Sequence, residues 1–441
     1  MSYQAAIDQL NVMTPELYTC PGVPRHKFSL EEVRVLLAAL GDPQQHFRSV
    51  LIAGTNGKGS TASTLASILS ASGLRAGLYT SPHLERVNER IRVGVAEIGN
   101  EAFARLFFRV QEAAHQLAQD GSLPQPPSFF EVLTALALLH FAEEDVELAV
   151  LEVGLGGRLD ATNAVDPLLS VITDISVDHT EWLGSTITAI AREKAGILRP
   201  GGTLITLPQH PEANQVLAER GAELNVRVVN AAEYLPPVGS VEAGPYTVNA
   251  LGSAIEVESP LQGLHQHRNV ALAIAAAVEL VTMHGFSINA TEIAKGIRQT
   301  RWPGRMERIE TKGVQWILDV AHNPAGAWAL RESLFGIREK MHPSVLIFSC
   351  LRDKPVNELA RILFPLFDQV IFAPIQSARA AAMAELEAAA ATIGISAISA
   401  GSVQEALQRA TMRGLGGAVV ISGSVYLVGE ARSLLLGSGI E

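Results

Sequence analysis

A glycine-rich loop, GTNGKGS, occupies residues 54–60 of the chain. The apolar run Val50–Ala53 precedes it, and a helix-forming stretch, STASTLASILSASG, follows from Ser60. A buried strand that ends in glycines and leads at once into a helix predicts a phosphate-binding loop, because loop amides and a helix N-terminus together attract an anion. Some glycine-rich loops are plain turns, but here the lysine and hydroxyl residues stand in the expected order. The loop therefore predicts an α/β fold that binds a nucleotide.

The residues of the loop suit a nucleoside triphosphate bound with magnesium. Lys58 can reach the outer phosphates, and the hydroxyl of Ser60 or Thr61 can bind the metal. Gly59 separates Lys58 from the hydroxyl residue, which is not the common arrangement in GTPases and kinases. The residues predicted to bind the nucleotide here are Gly54, Thr55, Asn56, Gly57, Lys58, Gly59 and Ser60.

Further apolar runs alternate with helical segments, which predicts βαβ units and a parallel sheet. Four runs read as buried strands: LRAGLYTS (74–81), VELAVLEVG (146–154), LLSVITDIS (168–176) and GTLITLP (202–208). The stretch QTRWPG (299–304) interrupts the pattern, and a new set of strands follows it. We expect a large N-terminal domain with a P-loop and a parallel sheet, residues 1–299, and a smaller Rossmann-like α/β domain, residues 300–441.

Composition limits the partners. The net charge of −11 argues against a nucleic acid or an anionic membrane, although small anions remain possible ligands. Cys20 and Cys350 are the only cysteines, so neither a disulfide framework nor a zinc knuckle is supported. The start, MSYQAAIDQLNVM, lacks a basic region followed by an apolar core. We expect a cytoplasmic protein, without membrane or nucleic-acid partners and monomeric.

The loop variant resembles the ATP loop of the Mur ligase superfamily and, more narrowly, that of the folylpolyglutamate synthase and dihydrofolate synthase family. Each further motif is weak alone, but their joint order is specific, and the resemblance covers roughly residues 25–435. The matching stretches are SPHL (81–84), NERI (88–91), SFFE (128–131), EVGLGGRLDATN (152–163), DHTEWLG (178–184), REKAGI (192–197), GLHQHRN (263–269), WPGRME (302–307) and DVAHNP (319–324).

The resemblance implies a magnesium site formed by Ser81, Glu152 and His179. Glu152 ends a predicted buried strand, where a carboxylate is costly unless a cation or hydrogen bonds compensate it. An exposed carboxylate and a structural histidine are the alternatives. The family also implies a carbamate on Lys194, which a lysine of lowered pKa could accept from carbon dioxide. A solvated helix lysine is the alternative. Lys58, Lys194 and His179 are thus the implied catalytic residues.

The same resemblance implies the remaining ATP and substrate contacts. Asn269, Arg305, Asp319 and His322 would bind ATP, although a structural salt bridge between Arg305 and Asp319 remains an alternative. The segments implied to line a pterin or benzoate site contribute Ser128, Phe129, Phe130, Glu131, Leu159, Asp160 and Ala161. A phenylalanine there could stack on a flat ring, and Asp160 could accept its N–H groups, but each phenylalanine could equally belong to the core. The chain reads SLEE (29–32) where the family usually has Gly-Leu-Glu-Arg, which leaves substrate preference open.

The implied reaction is ATP-dependent ligation of L-glutamate to dihydropteroate, to reduced folate, or to both, through an acyl phosphate, and we expect both. A peptidoglycan-type Mur ligase is one alternative, against which stand SFFE, GGRLDATN and the lack of a separate N-terminal UDP-binding domain. A non-catalytic ATP-binding regulator is the other. Such a protein should have lost Lys58, Glu152 or His179, and this chain retains all three.

Overall fold

The computed structural model describes residues 2–13, 29–237, 244–311, 313–337, 341–414 and 416–437. Cys20 lies outside these residues, and Cys350 is a free, buried thiol. The predicted fold is confirmed: the chain forms two α/β units, each built on one large sheet. In the part of the chain described, no helix is long and apolar enough to span a membrane.

The N-terminal sheet has eight strands in the order β4-β3-β2-β5-β1-β6-β7-β8. The six strands from β2 to β8 along this order pair in parallel, and β3 and β4 add an antiparallel edge. The strands are β1 (Arg48–Ala53), β2 (Ala76–Tyr79), β3 (Ile91–Val93), β4 (Ala96–Glu97), β5 (Leu148–Glu152), β6 (Leu169–Ile172), β7 (Thr203–Thr206) and β8 (Arg227–Asn230).

Helices cover both faces of this sheet, which explains why its central strands place apolar residues on both faces. Along β1, Leu51 and Ala53 pack into one core, while Val50 and Ile52 pack into the other. The helices are α1 (Tyr3–Val12), α2 (Leu30–Ala39), α3 (Lys58–Ala71), α4 (Asn100–Gln119), α5 (Phe129–Glu143), α6 (Thr180–Leu183), α7 (Ile187–Ala195), α8 (Pro211–Glu223), α9 (Leu264–His284) and α10 (Ala290–Gln299). A hairpin of β9 (Tyr246–Ala250) and β10 (Ser253–Val257) packs beside α9 and α10.

The C-terminal sheet has six strands in the order β11-β12-β16-β13-β14-β15, of which only β11 runs antiparallel to its neighbour. The strands are β11 (Glu307–Thr311), β12 (Val314–Leu318), β13 (Ser344–Phe348), β14 (Gln369–Phe372), β15 (Ala397–Ser399) and β16 (Ala418–Ser422). The helices are α11 (Pro324–Phe335), α12 (Val356–Leu363), α13 (Met383–Thr392), α14 (Val403–Arg413) and α15 (Val425–Leu436). We keep residue 300, which lies between α10 and β11, as the proposed domain boundary.

Strand order decides where the polar motifs meet. Strands β2, β5, β1 and β6 are adjacent and parallel, so their carboxyl ends lie at one edge of the sheet. The glycine loop follows β1, Ser81 follows β2, Glu152 ends β5, and His179 follows β6. This edge is where α/β proteins bind ligands.

Candidate active site

A cavity of about 980 Å³ lies between the two domains at this edge of the sheet. Both domains contribute to its wall. The predicted site residues that line it are Gly54, Thr55, Asn56, Gly57, Lys58, Gly59, Ser60, Ser81, Phe129, Phe130, Glu152, His179, Lys194, Asn269, Arg305, Asp319 and His322. Residues distant in sequence are therefore brought together at one site.

Five predicted substrate contacts, all within the described residues, are not in the cavity wall: Ser128, Glu131, Leu159, Asp160 and Ala161. Ser128 and Glu131 form a capping box at the start of α5, in which Ser128 N donates to Glu131 Oε2 at 2.6 Å. Asp160 accepts the backbone N–H groups of Leu155 and Thr162 at 2.9 and 3.0 Å. These polar groups thus have local partners, and their contact with substrate stays a prediction.

Two glycines of the loop are required by close neighbours. Gly57 is the N-cap of α3 with a φ of 87°, and a Cβ there would lie 2.1 Å from Asn269 Oδ1. Gly59 is the first residue after Lys58 in α3, and a Cβ on it would lie 2.6 Å from Cζ2 of Trp302. The unusual glycine therefore gives room to an indole ring from the WPGR segment.

Hydrogen bonds to the segment after β6 hold the loop in place. The N–H groups of Thr55 and Asn56 donate to the carbonyl of Asp174 at 2.9 and 3.3 Å. The Thr55 hydroxyl donates to the Ser176 carbonyl at 3.0 Å. Lys58 Nζ lies 3.2 Å from the carbonyl oxygens of both Gly54 and Thr55. The ammonium group is thus folded over the loop, beside the position that a nucleotide phosphate would take.

Lys194 reaches the same loop from α7. Its Nζ donates to the Gly54 carbonyl at 2.7 Å, and the residue is only 4% exposed. Burial, together with repulsion from Lys58, lowers the pKa of Lys194 to about 7. A large fraction of its amine is therefore neutral, and so nucleophilic, near neutral pH.

Glu152 and His179 face the cavity from the ends of β5 and β6, the two strands that flank β1. Glu152 is buried, and its Oε2 accepts the Ser81 N–H at 3.1 Å. Burial raises the pKa of Glu152, while Lys58 and the Ser81 N–H oppose the rise. His179 adopts a left-handed conformation, with φ 50°, at the start of α6. Burial lowers its pKa well below the usual value, so the imidazole is neutral at pH 7.

These groups fit part of a magnesium shell. A carboxylate, a neutral imidazole and a hydroxyl are all able to bind a divalent cation, although magnesium favours oxygen ligands. Within the described ranges, no group of three or more His, Cys, Asp or Glu side chains could hold a metal by itself. A complete shell would therefore need oxygen atoms from the nucleotide or from water.

The NERI motif builds the loop that carries Ser81. The Glu89 carboxylate accepts three successive backbone N–H groups, those of residues 84–86, at 2.8 to 2.9 Å. Arg90 Nε donates to His83 Nδ1 at 2.8 Å, and its guanidinium lies 5.1 Å from the Phe129 ring centre. His83 and Arg90 both line the cavity, and neither is among the site residues predicted from the sequence.

The C-terminal domain closes the opposite wall. The Asp319 carboxylate is buried and accepts the N–H groups of Met306 and Ala321 at 3.0 and 2.9 Å. Arg305 and Asp319, both in the described part of the chain, form no ion pair with each other within 4 Å, although their opposite charges attract over a longer distance. His322 Nδ1 lies 2.8 Å from the Val320 carbonyl oxygen.

Comparison with known proteins agrees with this geometry. The Mur ligase middle domain matches residues 52–277, and the Mur ligase glutamate ligase domain matches residues 304–425. The folylpolyglutamate synthase of Lacticaseibacillus casei is 33% identical over 416 residues, covering 92% of this chain and 94% of that protein. The dihydrofolate synthase/folylpolyglutamate synthase of Bacillus subtilis is 35% identical, covering 93% and 95%.

Solved structures give the same result. A Mycobacterium tuberculosis folylpolyglutamate synthase complexed with ADP superposes with a TM-score of 0.88 at 31% identity, covering 98% of each chain. E. coli FolC in complex with DHPP and ADP superposes with a TM-score of 0.83 at 29% identity, covering 99% of this chain and 98% of that one. The chain therefore belongs to the folylpolyglutamate synthase and dihydrofolate synthase family, within the Mur ligase superfamily of ATP-dependent ligases.

Proposed function

We propose that the protein ligates L-glutamate to dihydropteroate and to reduced folates or their polyglutamates, using ATP. The observation that carries this proposal is the meeting of Lys58, Lys194 and Glu152 in one interdomain cavity with a phosphate-binding loop. The names of the B. subtilis relative and of the E. coli complex with DHPP and ADP support the two acceptors. We further propose that it acts as a cytoplasmic monomer, without nucleic-acid or membrane partners.

The reaction needs an activated carboxylate, because oxide is a very poor leaving group. The acceptor carboxylate would attack the γ-phosphorus of ATP, which releases ADP and forms an acyl phosphate. The glutamate amine would then attack the acyl carbon, lose a proton, and expel phosphate to leave an amide. Lys58 and the loop N–H groups would stabilise the charge on the transferring phosphoryl group.

Ser81, Glu152 and His179 would hold magnesium, which supplies positive charge to the phosphates and helps to align the reactants. His179 suits this role because it is neutral. Glu152 suits it because, among the described residues, its carboxylate accepts one backbone N–H, that of Ser81. Asn269, Arg305, Asp319 and His322 would bind the nucleotide from the other wall. Enclosure between two domains would exclude water from the labile acyl phosphate.

Lys194 would carry a carbamate. Its neutral amine would add to the carbon of carbon dioxide and then lose a proton, which replaces a cation by an anion. The lowered pKa of Lys194 and its 4% exposure support this assignment. Carbon-13-labelled bicarbonate followed by NMR tests it: a carbamate signal in the wild type that is absent from Lys194→Met is expected. A wild-type spectrum without such a signal would contradict it.

The whole function is tested on purified protein with magnesium, ATP and glutamate. Phosphate release and product mass are measured with dihydropteroate, with tetrahydrofolate, and with neither. We expect a gain of one glutamate residue on both acceptors. A gain on one alone would restrict the proposal to that acceptor, and the absence of any gain would overturn it and favour a Mur-type ligase or a regulator.

A further inference from the structure

Four polar side chains meet where the two domains touch, and we call this group the interdomain junction. Asn56 comes from the glycine loop, and Asp178 directly precedes His179. Asn323 and Lys354 come from the C-terminal domain, at the start of α11 and after β13. The N-terminal members thus belong to the two segments that carry the predicted phosphate and metal ligands.

Asn323 forms the centre of the junction. Its Nδ2 donates to Asn56 Oδ1 at 3.0 Å and to Asp178 Oδ2 at 2.8 Å. Its Oδ1 accepts from Asn56 Nδ2 at 3.3 Å and also caps α11 by accepting the Gly326 N–H at 2.8 Å. The residue is 1% exposed. The side-chain amide of Asn323 therefore forms hydrogen bonds to two segments of the N-terminal domain, the glycine loop and the segment before His179.

Lys354 adds a charge to the same junction. Its Nζ donates to Asp178 Oδ1 at 2.6 Å, and the two side chains are only 4% and 8% exposed. Asp178 Oδ1 also accepts the backbone N–H of His179 at 2.8 Å, and His322 Nε2 lies 3.6 Å from Oδ2. Because a buried charge without its partner is costly, separation of the domains would leave Asp178 poorly compensated.

Every one of these cross-domain contacts requires the C-terminal domain to be closed on the sheet edge. We propose that Asn323 is a positioning residue, which couples domain closure to the geometry of the glycine loop through Asn56 and of the His179 segment through Asp178. The proposal rests on the proposed ligase function, and it assigns a role to Asn323, a residue to which the sequence analysis gave none. Simple adhesion between domains is the alternative, and it predicts loss of stability without a selective loss of turnover.

The test distinguishes the cross-domain contacts of Asn323 from its role as the N-cap of α11. Asn323→Ser keeps an oxygen that can cap α11 but is too short to reach Asn56 and Asp178. Asn289→Ser is the matched control, because Asn289 caps α10 in a capping box with Glu292 and does not line the cavity. We expect Asn323→Ser to lower kcat by about ten- to a hundredfold with the KM for the acceptor unchanged. The control should retain wild-type kcat, and both variants should show similar small changes in melting temperature.

A double-mutant cycle of Asn56→Ala and Asn323→Ser supplies the decisive readout. If the two residues act through one contact, the double variant has a kcat no lower than the worse single variant. The proposal would be overturned if the losses of kcat in the two single variants multiplied in the double variant. It would also be overturned if the loss of kcat across the variants followed the loss of melting temperature. The same cycle, measured on the Kd of a fluorescent ATP analogue, tests the coupling without catalysis. A wild type that binds the analogue but is inactive would therefore refute the proposed function, while the cycle would still test the role of Asn323.

Discussion

The Nζ atom of Lys194 lies 2.7 Å from the carbonyl oxygen of Gly54, although 140 positions separate the two residues. Helix α7 thereby brings a buried amine of lowered pKa onto the first residue of the phosphate-binding loop. A lysine placed there contacts the loop proposed to bind the nucleotide phosphates, so substitution of Lys194 is a direct probe of the proposed site.

We predict that Lys194→Met lowers kcat by about a hundredfold, a loss of the size that removal of a metal-supporting group produces. Binding of the ATP analogue should change far less, because Lys58 and the loop amides are retained. Lys295→Met on α10 is the control, since that lysine is exposed. Turnover of Lys194→Met at the wild-type rate would remove Lys194 from the catalytic set.

The lowered pKa of Lys194 also predicts how the stability of the protein depends on pH. Its pKa is about 7 in the folded chain against the ordinary lysine value of 10.5, so between these values the unfolded chain binds more protons. The free energy of unfolding contributed by this residue therefore rises as pH increases from 7 to 10.5. In buffer free of carbon dioxide, the melting temperature of wild type relative to Lys194→Met should increase over this window. A constant difference would contradict the lowered pKa.

We predict that Gly59→Ala weakens binding of the ATP analogue by about tenfold, because the added methyl overpacks against Trp302. Alanine favours a helix more than glycine does, so helix propensity alone would predict that Gly59→Ala stabilises the protein. The double variant Gly59→Ala with Trp302→Leu should recover part of the affinity. Gly221→Ala in α8 is the control, since its new Cβ would meet only ordinary contacts at 3.7 Å or more.

Glu152→Gln should separate stability from activity. Burial disfavours the Glu152 carboxylate, so the neutral amide should leave the melting temperature unchanged or raise it. Loss of the charge should lower kcat by about a hundredfold or more and shift the magnesium dependence to higher concentration. Titration with magnesium and a thermal melt measure both effects. An unchanged magnesium dependence would remove Glu152 from the metal site.

The two phenylalanines of SFFE should differ sharply. Phe129 is half-buried in the cavity wall, so Phe129→Ala should raise the KM for the pterin acceptor by about tenfold. Phe130 is 2% exposed and packs against Tyr79, so Phe130→Ala should lower the free energy of unfolding by about 3–5 kcal/mol. Kinetics and urea unfolding distinguish them, and equal effects in both assays would contradict this division.

Much of the fold could be predicted because central parallel strands are apolar on both faces. The runs that became β1, β2, β5, β6 and β7 were recognisable for this reason. The edge strands β8 and β15 were not, since neither contains a fully buried residue, and β11 alternates only between half-buried and exposed positions. An edge strand is defined by its pairing, and pairing leaves little trace in composition.

The sequence by itself determined the strand, loop and helix around Gly54 to Ser60, the placement of Ser81 and Glu152 near strand ends, and the family resemblance. Only the tertiary structure decided that Gly59 makes room for Trp302, that Lys194 is buried against Gly54, and that Asn323 joins two segments of the other domain. The physical reason is that periodicity and turn chemistry are local properties of the chain. Close approaches, burial and pKa shifts depend on strand order and on how the two domains close.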